Sequence, residues 1–105
     1  MSHTVLQLGC GMQGRASLAD LLGNASISKV IVADASDEVS GLGRLHGDPR
    51  IVPVKADIRD ERVVRSLMEE ADAVIELLPG AFTLRAAQLA VEALSHIISD
   101  GFGEE

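Results

Sequence analysis

The chain is short of aromatic residues. It has no tryptophan and no tyrosine, and its two phenylalanines are Phe82 and Phe102. A core without large rings must be built from valine, isoleucine, leucine and alanine, as in helices packed on a buried parallel sheet. Basic residues are also few: nine lysines and arginines against 16 acidic residues, for a net charge of −7. An acidic chain without rings is poorly suited to gripping a phosphate backbone or stacking bases, so no nucleic-acid partner is expected. A single cysteine, Cys10, excludes an internal disulfide and fits a reducing compartment. No apolar run approaches about 18 residues, so no spanning helix and no membrane partner are expected. The start, Met1-Ser2-His3-Thr4, enters a strand-like run directly and lacks the pattern of a secretory leader. These absences together predict a cytoplasmic protein.

What is present is a hydrophobic content of 47% and a mean hydropathy of +0.23 over 105 residues, which excludes a disordered chain. That length makes 1–105 one domain, with room for a real core but none for a second, substrate-binding domain.

Short β-like runs alternate with longer helical ones. Residues 4–8 (TVLQL), 29–33 (KVIVA), 50–55 (RIVPVK), 73–78 (AVIELL) and 96–99 (HIIS) read as strands. Pro53 assigns the third to an edge. Residues 12–22 carry Leu18, Leu21 and Leu22 at helical spacing, and Gly23-Asn24 stops the helix. Residues 57–71 form the best-defined helix, with Asp57 or Asp60 as its cap and a stripe of Val63, Val64, Leu67, Met68 and Ala71. A largely buried helix is predicted over 81–94. Residues 35–47 contain Gly41 and Gly43 and predict only a short helix or a mobile loop. Strands joined by helical crossovers are parallel, and right-handed crossovers lead to an α/β, doubly wound, Rossmann-type sheet of about five strands in the order 3-2-1-4-5. The switch point, where open α/β sheets bind ligands, falls between strands 1 and 4.

Gly9-Cys10-Gly11-Met12-Gln13-Gly14 is G-x-G-x-x-G. Alone that pattern is weak, but here it follows a predicted strand, opens a predicted helix, and is followed 20 residues after Gly14 by Asp34. Each residue has a physical task in dinucleotide binding: Gly9 allows the tight turn, Gly11 lets backbone approach a pyrophosphate, and Gly14 lets helix and sheet close up. The helix N-terminus faces the phosphates, and Asp34 accepts hydrogen bonds from a ribose diol. A plain glycine-rich turn, or a site for flavin or another nucleotide, are the competing readings of the same residues. Asp34-Ala35-Ser36-Asp37-Glu38 offers carboxylates where a 2′-phosphate needs a cation, so NAD is predicted over NADP. Arg44 and Arg50 are the nearby cations in the sequence.

Asp57, after strand 3, reads either as an adenine contact or as a helix cap. Leu78-Pro79 follows strand 4 across the switch point and reads either as a cofactor-lining turn or as an ordinary helix start. The candidate cofactor-binding set is thus Gly9, Gly11, Met12, Gln13, Gly14, Asp34, Ala35, Asp57, Ile58, Leu78 and Pro79. Gln7 and Glu76 are polar residues in central strands and are expected to pair with each other, the alternative being that Glu76 reaches the ligand cleft. Cys10 has no evident base, and His3, His46 and His96 are scattered, so neither a catalytic residue nor a metal site is assigned.

The chain resembles the N-terminal NAD(P)-binding domain of the saccharopine dehydrogenase family, which includes lysine 6-dehydrogenase-like enzymes. Residues 5–14, 30–34, 56–60 and above all 73–82 (AVIELLPGAF) carry the resemblance, with Asp100 where that family often has an aspartate. It implies an oxidoreductase acting on amino-acid C–N bonds, and cofactor roles for Gly9, Gly11, Gly14, Asp34, Asp57, Leu78 and Pro79. It supplies no catalytic residue, because the family's catalytic domain would follow residue 105. The alternative is a nucleotide-sensing regulatory domain like those of potassium transport systems, which lacks a segment like Leu78-Pro79-Gly80. A decayed gene product that binds nothing is a third. The sequence stops after strand 5, which predicts a truncated domain that binds cofactor without turnover, and whose open flank seeks a second copy or a missing catalytic domain.

Overall fold

Leu6 and Leu8 face one way and Val5 and Gln7 the other, and all four are buried. A strand covered on both faces belongs at the centre of a sheet, and β1 (His3–Leu8) lies there. It pairs in parallel with β2 (Ile27–Asp34) on one side and β4 (Ala73–Glu76) on the other. Beyond these lie β3 (Ile51–Lys55) and β5 (His96–Ser99), giving the five-stranded order β3-β2-β1-β4-β5 that the sequence predicts. The computed structural model describes residues 3–9, 12–41, 47–57, 59–77, 88, 91 and 96–99.

Two apolar layers sandwich the sheet. Leu18 of α1 (Met12–Leu22) meets Val5, Val30 and Val32 on one face. Val64 and Met68 of α2 (Glu61–Glu70) meet Leu6, Ile31 and Val74 on the other. The expected stripe of α2 is correct except for Val63, which is 38% exposed. α2 starts four residues later than the predicted helix. Asp60 is its cap, accepting from the Val63 amide, and Asp57 lies in the turn before it. A short 3-10 helix (Asp37–Gly41) occupies part of the uncertain stretch after β2, with Val39 buried against the sheet.

Pro53 does sit on an edge strand. Ala56 donates its amide to the Asp34 carbonyl at 2.9 Å. By the alternation of a parallel ladder, the even-numbered residues of β3 therefore face β2 with their amides, and the nitrogen of Pro53 faces outward.

β4 is shorter than predicted and ends at Glu76, although the Leu77 amide still donates to the Leu8 carbonyl at 2.9 Å. Of the helix predicted over 81–94, Gln88 and Val91 are described. Both are helical, and Val91 is 71% exposed where burial was expected. Cys10, Arg44, His46, Phe82, Asp100 and Phe102 lie outside the described residues.

At the amino end of the sheet Arg50 binds the end of α1. Its guanidinium donates to the carbonyls of Leu22, of Asn24 at 3.1 Å and of Ile27 at 3.0 Å, and pairs with Asp48 at 2.7 Å. α1 has no basic residue in its last turn. Arg50 supplies from outside the helix the cation that its carbonyl end favours.

Candidate functional site

The chain leaves β1 for β2 and β3 on one side, then returns to β4 on the other. β1 and β4 are therefore neighbours at the topological switch point, where open α/β sheets have their ligand crevice outside the carboxyl ends of the strands. The glycine turn opens at this point. Gly9 is buried, donates its amide to the Ala33 carbonyl at 2.8 Å, and has φ of 102°, in the left-handed region that favours glycine. α1 follows, beginning at Met12 with Gln13 and Gly14 in its first turn. An α-helix leaves its first amide groups without partners inside the helix, and here they belong to the crevice end of the sheet.

Gly14 shows why the third glycine is needed. A Cβ there would stand 2.8 Å from the Gly9 carbonyl oxygen and 3.1 Å from Nε2 of Gln7. Gln7 braces the turn from below: Nε2 donates to the carbonyls of Gly9 at 3.0 Å and Gly14 at 2.9 Å. Its Oε1 has no hydrogen-bond partner among the described residues. The expected Gln7–Glu76 pair does not form. Gln7 is in register with Ile75, and Glu76 with Leu8. Gln7 therefore lies on the α1 face and Glu76 on the α2 face, although both are wholly buried.

Asp34 ends β2, half-buried, and its Oδ1 accepts the Ser36 amide at 2.8 Å. Ala35 next to it is exposed. Directly opposite Asp34 in register stands Lys55, the last residue of β3, whose ammonium pairs with Asp37. Sequence reasoning missed Lys55. Its position as the last residue of a strand parallel to β2 was the available signal.

The structure corrects the reading of Arg50 as a cation near Asp34. Arg50 precedes β3 and lies at the opposite end of the sheet, roughly 15 Å away along a five-residue strand.

Asp57 follows β3 at the crevice end. Its carboxylate takes the Arg59 amide at 2.9 Å and the Arg59 guanidinium at 2.6 Å. These hydrogen bonds hold its pKa down at about 2. Gly11, Ile58, Leu78 and Pro79 lie outside the described residues. His3 comes within 4.0 Å of Asp72 at the amino end of the sheet, away from the crevice. Among the described residues no cluster of histidine, cysteine, aspartate and glutamate is arranged to hold a metal.

The residues described fit a dinucleotide. A left-handed glycine turns the chain, a second glycine is packed against it, and a carboxylate ends the next strand.

No curated protein matches the chain. Among solved structures, it is similar to apo saccharopine dehydrogenase (L-Glu forming) from Saccharomyces cerevisiae, at 22% identity and a TM-score of 0.79. That match covers 93% of this chain and 21% of the yeast enzyme, so the chain spans about a fifth of that protein's length. It is also similar to scyllo-inositol dehydrogenase from Lactobacillus casei with bound NAD(H) and scyllo-inositol, at 16% identity and a TM-score of 0.73. There the match covers 94% of this chain and 28% of that one. At these identities the likenesses establish the fold. The family model for the saccharopine dehydrogenase NADP binding domain matches residues 5–102, nearly the whole chain. The chain therefore belongs to the saccharopine dehydrogenase family, as its NAD(P)-binding domain.

Proposed function

We propose that this domain binds NAD in preference to NADP, as the cofactor module of an oxidoreductase acting on amino-acid C–N bonds, and that alone it binds without turnover. The observation that carries this is the Gly9–Gly14 contact: a left-handed turn and a helix start pressed together at the switch point of the sheet. In this reading Gly9, Gly11 and Gly14, with the amides of Met12 and Gln13, hold the pyrophosphate. Asp34 accepts from the ribose diol beside Ala35, and Asp57 and Ile58 border the adenine. Leu78 and Pro79 line the path to the nicotinamide.

The family description names NADP. The carboxylates of Asp34 and Asp37 in this chain oppose a 2′-phosphate, and Arg50 is committed to the far end of the sheet. This supports NAD. The share of the yeast enzyme left uncovered supports a catalytic domain as partner, with a second copy of this chain as the alternative. A cytoplasmic location is proposed from the single cysteine. Among the described residues no helix is long and apolar enough to cross a membrane.

Calorimetry with NAD, NADP, ADP-ribose and ATP tests the reading. NAD and ADP-ribose are expected to bind, and Gly11→Asp to abolish both while the circular dichroism spectrum persists. A preference for ATP would instead make this a nucleotide-sensing domain. Unchanged NAD affinity in the Gly11→Asp protein would remove the site assignment.

A further inference from the structure

The end of β2 carries a charge arrangement that the acidic sequence hides. Asp34 and Lys55 are register partners on adjacent parallel strands, about 4.8 Å apart across the sheet, and their side chains leave the same face. That face is the one α1 covers, since Val30 and Val32, two and four residues before Asp34, pack with Leu18. The Lys55 side chain therefore stands at the carboxyl ends of the strands, on the same face as the Asp34 side chain that would take the ribose diol. A 2′-phosphate replaces one hydroxyl of that diol, so it would arrive beside Lys55. The chain then folds back: Ser36 closes a turn on Asp34, the 3-10 helix begins at Asp37, and the Asp37 carboxylate meets Lys55.

We propose that the Asp37–Lys55 ion pair sets the choice between NAD and NADP in this domain. Asp37 neutralises the ammonium that would otherwise bind a 2′-phosphate. The proposal rests on the dinucleotide reading above. Two other cations are already committed elsewhere: Arg50 at the amino end of the sheet and Arg59 on Asp57. Both partners of the pair are well exposed, Lys55 at 61% and Asp37 at 88%. Such a pair is weakly held and can be exchanged. The discrimination is therefore modest and removable by one substitution, since a freed ammonium makes a charge-assisted bond to phosphate.

The test is a titration of the 105-residue chain and its variants with NADH and with NADPH, read by nicotinamide fluorescence. Asp37→Asn is expected to raise NADPH affinity about tenfold and to leave NADH affinity within about twofold. In Lys55→Met, which is expected to bind NADH normally, adding Asp37→Asn is expected to gain less than about threefold for NADPH. An unchanged NADPH-to-NADH ratio in Asp37→Asn overturns the proposal. So does a full gain that persists without Lys55. Failure of the unsubstituted chain to bind NADH is a different result, and would overturn the dinucleotide site itself.

Discussion

The side-chain amide of Gln7 donates to the backbone carbonyl of Gly14 at 2.9 Å, joining the central strand to the first turn of α1. The same nitrogen holds the Gly9 carbonyl, so one buried side chain fixes both ends of the glycine turn. Gln7→Leu keeps the volume of the side chain but removes the donor that the carbonyls of Gly9 and Gly14 share. It also removes the unpaired Oε1, which offsets part of the loss. A net destabilisation of about 1–2 kcal/mol is expected, with weaker NADH binding because the turn is no longer held. Urea unfolding and NADH titration check both. If midpoint and affinity stay unchanged, the amide holds nothing in place.

The glycines of the chain are not equivalent. Gly14→Ala forces a Cβ to within 2.8 Å of the Gly9 carbonyl, an overpacking expected to cost about 1–3 kcal/mol. Gly41→Ala meets nothing within 4 Å and is expected to be neutral or slightly stabilising. Thermal melts of the two variants should separate by several degrees. Equal melting temperatures would contradict the close packing of α1 on β1.

Arg50→Met separates structure from cofactor choice. It removes the donors that bind the carbonyls of Leu22, Asn24 and Ile27 and leaves Asp48 without its cation. A lower melting temperature is expected, with the ratio of NADH to NADPH affinity unchanged. A selective fall in NADPH binding would return Arg50 to the cofactor site.

Asp57 gives an acid-side signature. Its carboxyl is held at about 2, below the ordinary value of 3.8, by the hydrogen bonds from Arg59. A depressed carboxylate adds stability above its unfolded pKa, and that stability disappears as pH falls through the folded value. The contribution is therefore present above about pH 4 and is lost between about pH 4 and pH 2. Asp57→Asn is expected to flatten the pH dependence of unfolding in that window alone. An unchanged slope there would mean that the Arg59 contact does not form in solution.

Periodicity and composition carried most of the fold. α1 and β5 begin and end where the pattern of apolar residues placed them, and Pro53 marked the edge strand correctly. The two errors about the site share one physical origin, which is that strand register is not written locally. Gln7 and Glu76 are both polar and both central, but a one-residue offset puts them on opposite faces of the sheet. Arg50 and Lys55 are five residues apart in the chain and stand at opposite ends of one strand. Only the register shows that Lys55 is the one beside Asp34. Asp57 and Asp60 were equivalent as caps by type. Arg59 separates them, because it engages Asp57 and leaves Asp60 to accept from the first turn of α2.

The outward nitrogen of Pro53 has a consequence for assembly. An incoming strand docking along β3 would find no donor at the middle of that border. Growth of the sheet by strand addition, ordered or amyloid-like, is thereby disfavoured on the β3 side.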